Sequence, residues 1–356
     1  MKLSNITSEL PKITALMSVY NGDKYLRRAI DSILNQTFID FEFIIIDDGS
    51  TDGTRNIVSK YASQDRRIVQ VCNPENIGLT RSLNKGIELA RGTYIARQDA
   101  DDISDRTRLE KQINYMQNHP EVGLLGTAYH SIDERGNYIC TNYPETSDTA
   151  IRWRMLFRNA FIHTSIIIRR EILTKKYLFY SDKLTYSQDM DLWVKLMVYA
   201  KAANLKEPLV FLRRHENSIS MQNFSDQERI ATEISSKQLS RLSLDSSLSI
   251  KEIGILRRWH KQLPKQMKKA DFSLCVKYFD ILNTFSSNFH VDLVEINSIR
   301  FSLVLRIMRA MPLHSYKDLI STSGLLKSIM GRDPFYALAG LFRYFIPFTV
   351  KILSRL

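Results

Sequence analysis

Over its first 110 residues the chain alternates short apolar runs with stretches of helical spacing, and two of those runs end in acidic clusters. Ile13–Val19 (ITALMSV) suits a buried strand and Asn21-Gly22 a turn. Lys24 to Gln36 then sets Leu26, Ala29, Ile30 and Ile33 on one helical face. Phe41–Ile46 (FEFIII) is a second strand and runs into Asp47-Asp48-Gly49; Thr51 or Asp52 can cap the helix that follows, to about Ala62. Ile68–Cys72, a helix over Leu79–Ala90, and Thr93–Arg97 (TYIAR) continue the series, and the last strand leads into Asp99-Ala100-Asp101-Asp102. This order predicts an open α/β sheet of mostly parallel strands flanked by helices. Ligands of such sheets bind beyond the C-terminal ends of the strands, where both acidic clusters fall.

Further on, the spacing predicts a helix over Thr107 to Asn118, strands over Gly123–His130 and Ser165–Ile168, a helix over Asp189 to Ala200, and a final strand over Leu209–Leu212. Beyond Ser225 the strand signals fade and helical patterns rich in Leu, Ile and Lys/Arg take over, which predicts a catalytic domain over 1–225 and a helical region over 226–356. From Asp226 onward there are 20 Lys and Arg against 11 Asp and Glu, so most of the net charge of +12 sits there. Such a surface can meet anionic lipid, nucleic acid or an acidic glycan. The three cysteines, Cys72, Cys140 and Cys275, are far apart and fit neither a disulfide framework nor a metal-ligand spacing, in keeping with a reducing cytoplasm. Met1 to Pro11 lacks the apolar core of a signal peptide. No window reaches the roughly 20 apolar residues of a membrane span; Phe335–Leu353 comes nearest but contains Arg343 and Lys351.

Three constellations carry chemistry. Asp99 and Asp101, two apart on the bend after a strand, can face one ligand, and hard divalent cations need such oxygen donors. Mg²⁺ or Mn²⁺ there would neutralise a departing diphosphate. A carboxylate of Asp47-Asp48 can accept a hydrogen bond from a nucleobase N–H, with Gly49 allowing the sharp turn. Asp189, in Ser187-Gln188-Asp189-Met190-Asp191-Leu192-Trp193, opens a helix and can take the proton of an acceptor hydroxyl. Each has a structural alternative: an acidic turn, a helix cap, and an amphipathic helix whose core is Leu192, Trp193 and Leu196. Arg97 either faces the donor's phosphates or lies in solvent. Arg213 and His215, after the last strand, can meet a diphosphate, and His163 precedes a strand. There is no Gly-rich phosphate loop and no Ser/His/Asp signature.

In order along the chain, Ser18-Val19-Tyr20-Asn21-Gly22, Asp47 to Asp52, Asn76 and Gly78, Asn84 and Gly86, Gly92 to Asp102, Gln188-Asp189 with Asp191-Leu192-Trp193, and Arg213 with His215 and Ser218 to Ser220 resemble glycosyltransferase family 2 over about residues 12–222. The resemblance implies a GT-A fold and single-displacement transfer, with inversion, from a nucleotide-sugar. It implies donor contacts from Val19, Tyr20, Asn21, Asp48, Asn84, Arg97, Asp99 and Arg213, with Asp48 on a base that is usually uracil. It implies Mn²⁺ or Mg²⁺ on Asp101 with Asp99 and His215, Asp189 as base, and His163, Gln188 and Trp193 on the acceptor side. Gln188 stands where the family usually has Glu, Leu83 where many members have Arg, and Leu212 where Tyr is common. The subtype is similar to bacterial enzymes of O-antigen, capsule and lipooligosaccharide assembly, which implies a UDP-sugar donor and a lipid-linked or oligosaccharide acceptor.

The basic stretches Arg257 to Lys269 and Phe335 to Leu356 suit helices lying on an anionic membrane, peripheral on its cytoplasmic side, or a helical subdomain with a solvated basic face. No nucleic-acid partner is expected, since aromatics do not interleave with the basic residues as a binding platform needs. A nucleotidyltransferase would need more than the single glycine in Ser18–Asp23, and an inert scaffold of the same fold would have lost the acids this chain retains.

Overall fold

A computed structural model describes residues 10–216, 223–242, 248–265, 267, 271–289 and 291–310. The chain divides into two compact units, one of Met1–Asp148 with Asn159–Ile230, the other of Thr149–Arg158 with Ala231–Leu356.

The first unit is built on a nine-stranded sheet. Its first half is β1 (Ile13–Val19), α1 (Asp23–Leu34), β2 (Phe41–Asp47), α2 (Thr54–Gln64), β3 (Ile68–Cys72), α3 (Leu79–Leu89) and β4 (Tyr94–Arg97). There follow β5 (Ile103–Ser104), α4 (Arg108–Asn118), β6 (Val122–Ile132), β7 (Tyr138–Asn142), α5 (Asp148–Met155), a 3-10 turn at His163–Ser165, β8 (Ile167–Arg169), α6 (Arg170–Lys175), α7 (Gln188–Leu196) and β9 (Lys201–Arg213). The strand order is β3-β2-β1-β4-β8-β6-β9-β5, with β7 on β6. β1, β2, β3 and β4 pair in parallel, as their alternation with helices predicts; β8 is antiparallel to both β4 and β6.

Every residue of β1 and β2 is buried because helices cover both faces. Ile13, Ala15, Met17 and Val19 meet Leu26, Ala29, Ile30 and Ile33 of α1 and Leu109, Ile113 and Met116 of α4 in one core. Burial of Leu26, Ile30 and Ile33 contributes roughly 2 kcal/mol apiece. On the opposite face α3 rests against Leu16, which requires Gly86: a Cβ there would lie 2.2 Å from Leu16 Cδ1.

β9 is far longer than the expected Leu209–Leu212. Its mixed sequence, KAANLKEPLVFLR, hides a strand whose extent is set by pairing with β6, through three register shifts.

The second unit contains most of α5, the part of α8 (Phe224–Ser240) from Ala231 onward, then α9 (Ile250–Lys261), α10 (Asp271–Asn288) and α11 (Leu293–Ala310). Its core joins Trp153 and Phe157 to Leu256, Trp259, Tyr278, Phe279 and Phe285. Ser249 and Glu252 form a capping box that starts α9. The basic run on α9 is partly internal: Arg257 is 2% exposed and donates to the carbonyls of Phe157 and Ala231 and to Ser235. His260 stacks on Phe157 and bonds Tyr278 Oη at 2.9 Å. Lys268, Lys269 and Phe335–Leu356 lie outside the described residues, among which no helix is long and apolar enough to cross a membrane.

Candidate active site

Neighbouring parallel strands β2, β1 and β4 end on the same edge of the sheet, and their loops are stitched together there. Asn21 adopts φ 50°, a left-handed conformation that Asn tolerates better than most residues. Its N–H donates to Ser50 Oγ (3.0 Å) and its Oδ1 accepts the N–H of Thr51 (2.8 Å). Asp52 accepts the N–H groups of Asp23 and Thr54, but the N-cap of α2 is Gly53 rather than the expected Thr51 or Asp52. Tyr20 is half exposed beside buried Val19.

Both acids at the end of β2 face inward. Asp47 accepts from Ser50 N and pairs with Arg55. Asp48 Oδ1 accepts from Asn73 Nδ2 (2.8 Å) and Ile77 N (3.0 Å), and Oδ2 from Gly78 N (2.9 Å). Its carboxylate folds the 73–78 loop against the strand ends. Gly49 makes that closure feasible, since its φ is 71° and a Cβ would lie 2.4 Å from the carbonyl carbon of Glu75.

The Asp99–Asp102 turn is held from beneath. Gln98 Nε2 donates to the carbonyls of Asp99 and Asp102, both at 3.0 Å. Gln98 Oε1 accepts from Ser104 and from Arg108. Arg108, fully buried, also donates to the carbonyls of Arg97 and Ile166, and burial, reinforced by Arg97, lowers its pKa to about 9. Arg97 is neither solvated nor presented to a ligand. It is 1% exposed and its guanidinium pairs with Asp99 Oδ1 at 2.5 Å, because β4 is an interior strand and this position points into the protein.

Asp101 and His215, 114 positions apart in the chain, come together with Oδ2 and Nε2 at 2.8 Å, both partly accessible. Asp102 is buried instead: burial, with the charges of Asp101 and Asp99, raises its pKa well above the carboxylate range, and its Oδ1 accepts the N–H of Arg213. The Arg213 side chain is 3% exposed, donates to the carbonyls of Asp101, Asp133 and Glu134, and lies over the Tyr25 ring. Tyr25 also packs against His215, ring centroids 5.5 Å apart. Arg213 is therefore a strut under the Asp101 loop rather than a free cation. Among the described residues, no three His, Cys, Asp or Glu side chains gather as a metal site. Ser218–Ser220 lie outside those residues.

The third part of the site is the start of α7. Ser187, at φ 55°, precedes it in a conformation costing an ordinary residue about 1 kcal/mol. Asp189 Oδ1 accepts the N–H of Met190 (2.8 Å) and Oδ2 accepts Asn159 Nδ2 (2.7 Å). Burial raises the pKa of Asp189, and the charge of Asp99 adds to the effect. Asn84, expected on the donor, instead clamps the chain ahead of α7: Nδ2 donates to Tyr180 O and Oδ1 accepts Tyr180 N, each at 2.9 Å. Tyr180 Oη meets His163 Nε2 at 2.8 Å. Burial, with Arg97 nearby, depresses the His163 pKa to about 3, so the ring is neutral. Trp193, expected on the acceptor side, is fully buried. The register of α7 turns it inward with Met190, Leu192 and Leu196, against Phe161, His163 and Tyr180. Gln188 is buried at the first residue of the helix.

The structure thus brings Asp101 to His215, Asp99 to Arg97, and Asp189 within electrostatic reach of Asp99. Tyr25, Gln98, Arg108, Asn159 and Tyr180 were invisible in the sequence. Tyr25, Asn159 and Tyr180 act across the fold, and Gln98 and Arg108 read as neutral filler and helix surface.

Residues 14–176 match the model of glycosyl transferase family 2. An uncharacterized glycosyltransferase of Methanocaldococcus jannaschii is 39% identical over 188 residues, 52% of this chain; the chain spans 64% of that relative's length. The Escherichia coli O-antigen biosynthesis glycosyltransferase WbnJ is 33% identical over 59% of this chain and 82% of its own length. Among solved structures, S. aureus TarS 1-349 in complex with UDP-GlcNAc superposes with a TM-score of 0.55 at 16% identity, covering 90% of this chain and 91% of that one. At that identity the likeness is one of fold, and the fold is GT-A.

Proposed function

The chain belongs to glycosyl transferase family 2, and from that premise we propose that it transfers a hexose or N-acetylhexosamine from a UDP-sugar, with inversion, to a lipid-linked or oligosaccharide acceptor in bacterial surface polysaccharide assembly. The observation that carries the reading is the pairing of Asp101 with His215 at the strand ends, with the buried carboxylate of Asp189 within electrostatic reach of Asp99. The kinds of donor and product follow relatives of this chain: TarS binds UDP-GlcNAc, WbnJ is named for O-antigen biosynthesis, and AmsE of Erwinia amylovora is named for amylovoran biosynthesis.

One carboxylate and one imidazole suit Mn²⁺ or Mg²⁺ that arrives with a diphosphate, since such ions commonly take one or two protein ligands and complete their shell with phosphate oxygens and water. Asp101 and His215 would hold the ion, and when bound it would neutralise charge on the departing diphosphate. Asp99, with one oxygen fixed by Arg97, offers its other to the donor's sugar or ribose hydroxyls. Tyr20, exposed at the end of β1, and the 73–78 loop folded by Asp48 would flank the nucleoside. Asp189 takes the proton of the acceptor hydroxyl as its oxygen bonds to the anomeric carbon. The bond from that carbon to the diphosphate oxygen breaks on the opposite face, the electron pair leaving with UDP. No covalent sugar–protein species forms. The neutral His163–Tyr180 pair would line the acceptor side. The excess positive charge after residue 225 supports a peripheral position on the inner membrane face.

The test is a panel of UDP-, GDP- and dTDP-sugars incubated with the protein in Mn²⁺ or EDTA, with nucleoside diphosphate release and donor binding by calorimetry as readouts. Mn²⁺-dependent turnover of a UDP-sugar, lost in Asp101→Ala and in Asp189→Asn, is expected. Binding of none of the donors in Mn²⁺ would sink the proposal in favour of an inert protein of the same fold.

A further inference from the structure

We propose that Asn159 is a positioning residue for Asp189, holding its carboxylate ionised and oriented so that it can receive a proton. The inference rests on the reading of Asp189 as the base. Asn159 Nδ2 donates to Asp189 Oδ2 at 2.7 Å. The other end of the same amide is fixed, because Asn159 Oδ1 accepts the backbone N–H of Phe161 at 3.1 Å. A backbone N–H can only donate, so the amide cannot turn its oxygen toward Asp189 without losing that bond. The donor end therefore stays on the carboxylate. An N–H donor stabilises the anion and cannot accept its proton.

The arrangement also leaves room for the reaction. Met190 N–H occupies one lone pair on Oδ1 and Asn159 one on Oδ2. The N–H of Asp189 itself also bears on the carboxylate, which still keeps a lone pair for an incoming hydroxyl. Two influences oppose ionisation: burial and the negative charge of Asp99 on the β4 loop. Among the described residues, Tyr180, from the segment before α7, is the other titratable group that faces Asp189. Its phenol is held neutral by burial, so it adds no charge; Arg97 lies behind Asp99 and is already paired with it. With Asn159 removed, only the backbone N–H groups of Met190 and of Asp189 itself would stand against both influences. Asp189 would take up its proton at a higher pH and be spent before it met the acceptor.

The experiment follows Asp189 itself rather than turnover. The full chain is labelled with [13Cγ]aspartate and its carboxyl resonances are followed from pH 3 to 9. Asp189 is identified by the signal missing in Asp189→Asn. Two variants are compared with the wild type. Asn159→Leu removes the donor. Asn159→Asp keeps the shape and sets a second carboxyl against the first, so that the pair shares a proton; it decides the matter if the Leu variant fails to fold. The midpoint is expected to rise by at least about one pH unit in each, the size of a hydrogen bond to a charged group. A midpoint unmoved in Asn159→Asp overturns the inference. Failure of the base reading looks different: Asp189→Asn would keep wild-type turnover in the nucleotide-sugar panel, whatever the variants at 159 do to the titration.

Discussion

Asp101 Oδ2 and His215 Nε2 stand 2.8 Å apart although 114 residues of chain separate them. The contact exists because β9 delivers the segment after Arg213 back to the end of β4, where Arg213 N–H is caught by Asp102 and the Tyr25 ring packs against the imidazole.

From this pairing, Asp101→Ala and His215→Ala should each weaken Mn²⁺ binding in the presence of UDP by at least about tenfold, the loss of one of two protein ligands. Electron paramagnetic resonance of free Mn²⁺ measures it. Tyr25→Ala should do less, since it frees the ring of His215 without removing a ligand. Equal Mn²⁺ affinity in wild type and His215→Ala would exclude the imidazole from the site.

Asn84 separates two roles cleanly. A donor contact predicts weaker UDP-sugar binding in Asn84→Ala. The observed clamp on Tyr180 predicts the opposite division: donor affinity by calorimetry within about twofold of wild type, and turnover down by about tenfold or more as the chain before α7 loosens, the cost of two lost backbone hydrogen bonds.

Gly49→Ala should be among the most damaging substitutions of a small residue. It combines a left-handed φ of 71° with a Cβ 2.4 Å from backbone at Glu75 that cannot yield. We expect a loss of about 2–4 kcal/mol in urea unfolding. Asp48→Ala should cost about 3 kcal/mol, because it strands the donors of Asn73, Ile77 and Gly78. Loss of less than about 1 kcal/mol in both would mean that the 73–78 loop folds without them.

Stability should fall in mild acid. His163 and His260 are held neutral in the fold, each with a pKa of about 3, burial being the main cause, against about 6.5 in the unfolded chain. The unfolded state thus binds the extra protons as pH drops below 6.5. The stability each histidine contributes is complete above that value and is lost as pH falls toward 3, at up to about 1.4 kcal/mol per pH unit per group. Melting temperatures from pH 7 to 4.5 should drop less steeply in His260→Phe and His163→Asn than in the wild type. Parallel curves would show that neither ring is neutral in the fold.

The sequence by itself determined the parallel half of the sheet and the place of the site. Strands β1, β2 and β4 are short apolar runs broken by turn residues, and such runs, alternating with amphipathic helices, have one economical packing. The acids at their ends follow from that. The periodicity of α1 and the acid opening α7 were equally legible, because both are local. What each side chain does there was not. Asp48, Asn84, Arg97, Arg213 and Trp193 look from the sequence like groups turned to a ligand, yet burial and fixed partners turn them to the protein. Asn84 meets a backbone 96 residues away, and Arg213 meets one 112 residues away. Only the tertiary structure decided this, because a polar side chain's role is set by which unpaired donor or acceptor lies beside it, and those partners arrive through packing between elements distant in the chain. For the same reason Asn159, with nothing around it to mark it in the sequence, becomes the residue on which the state of Asp189 turns.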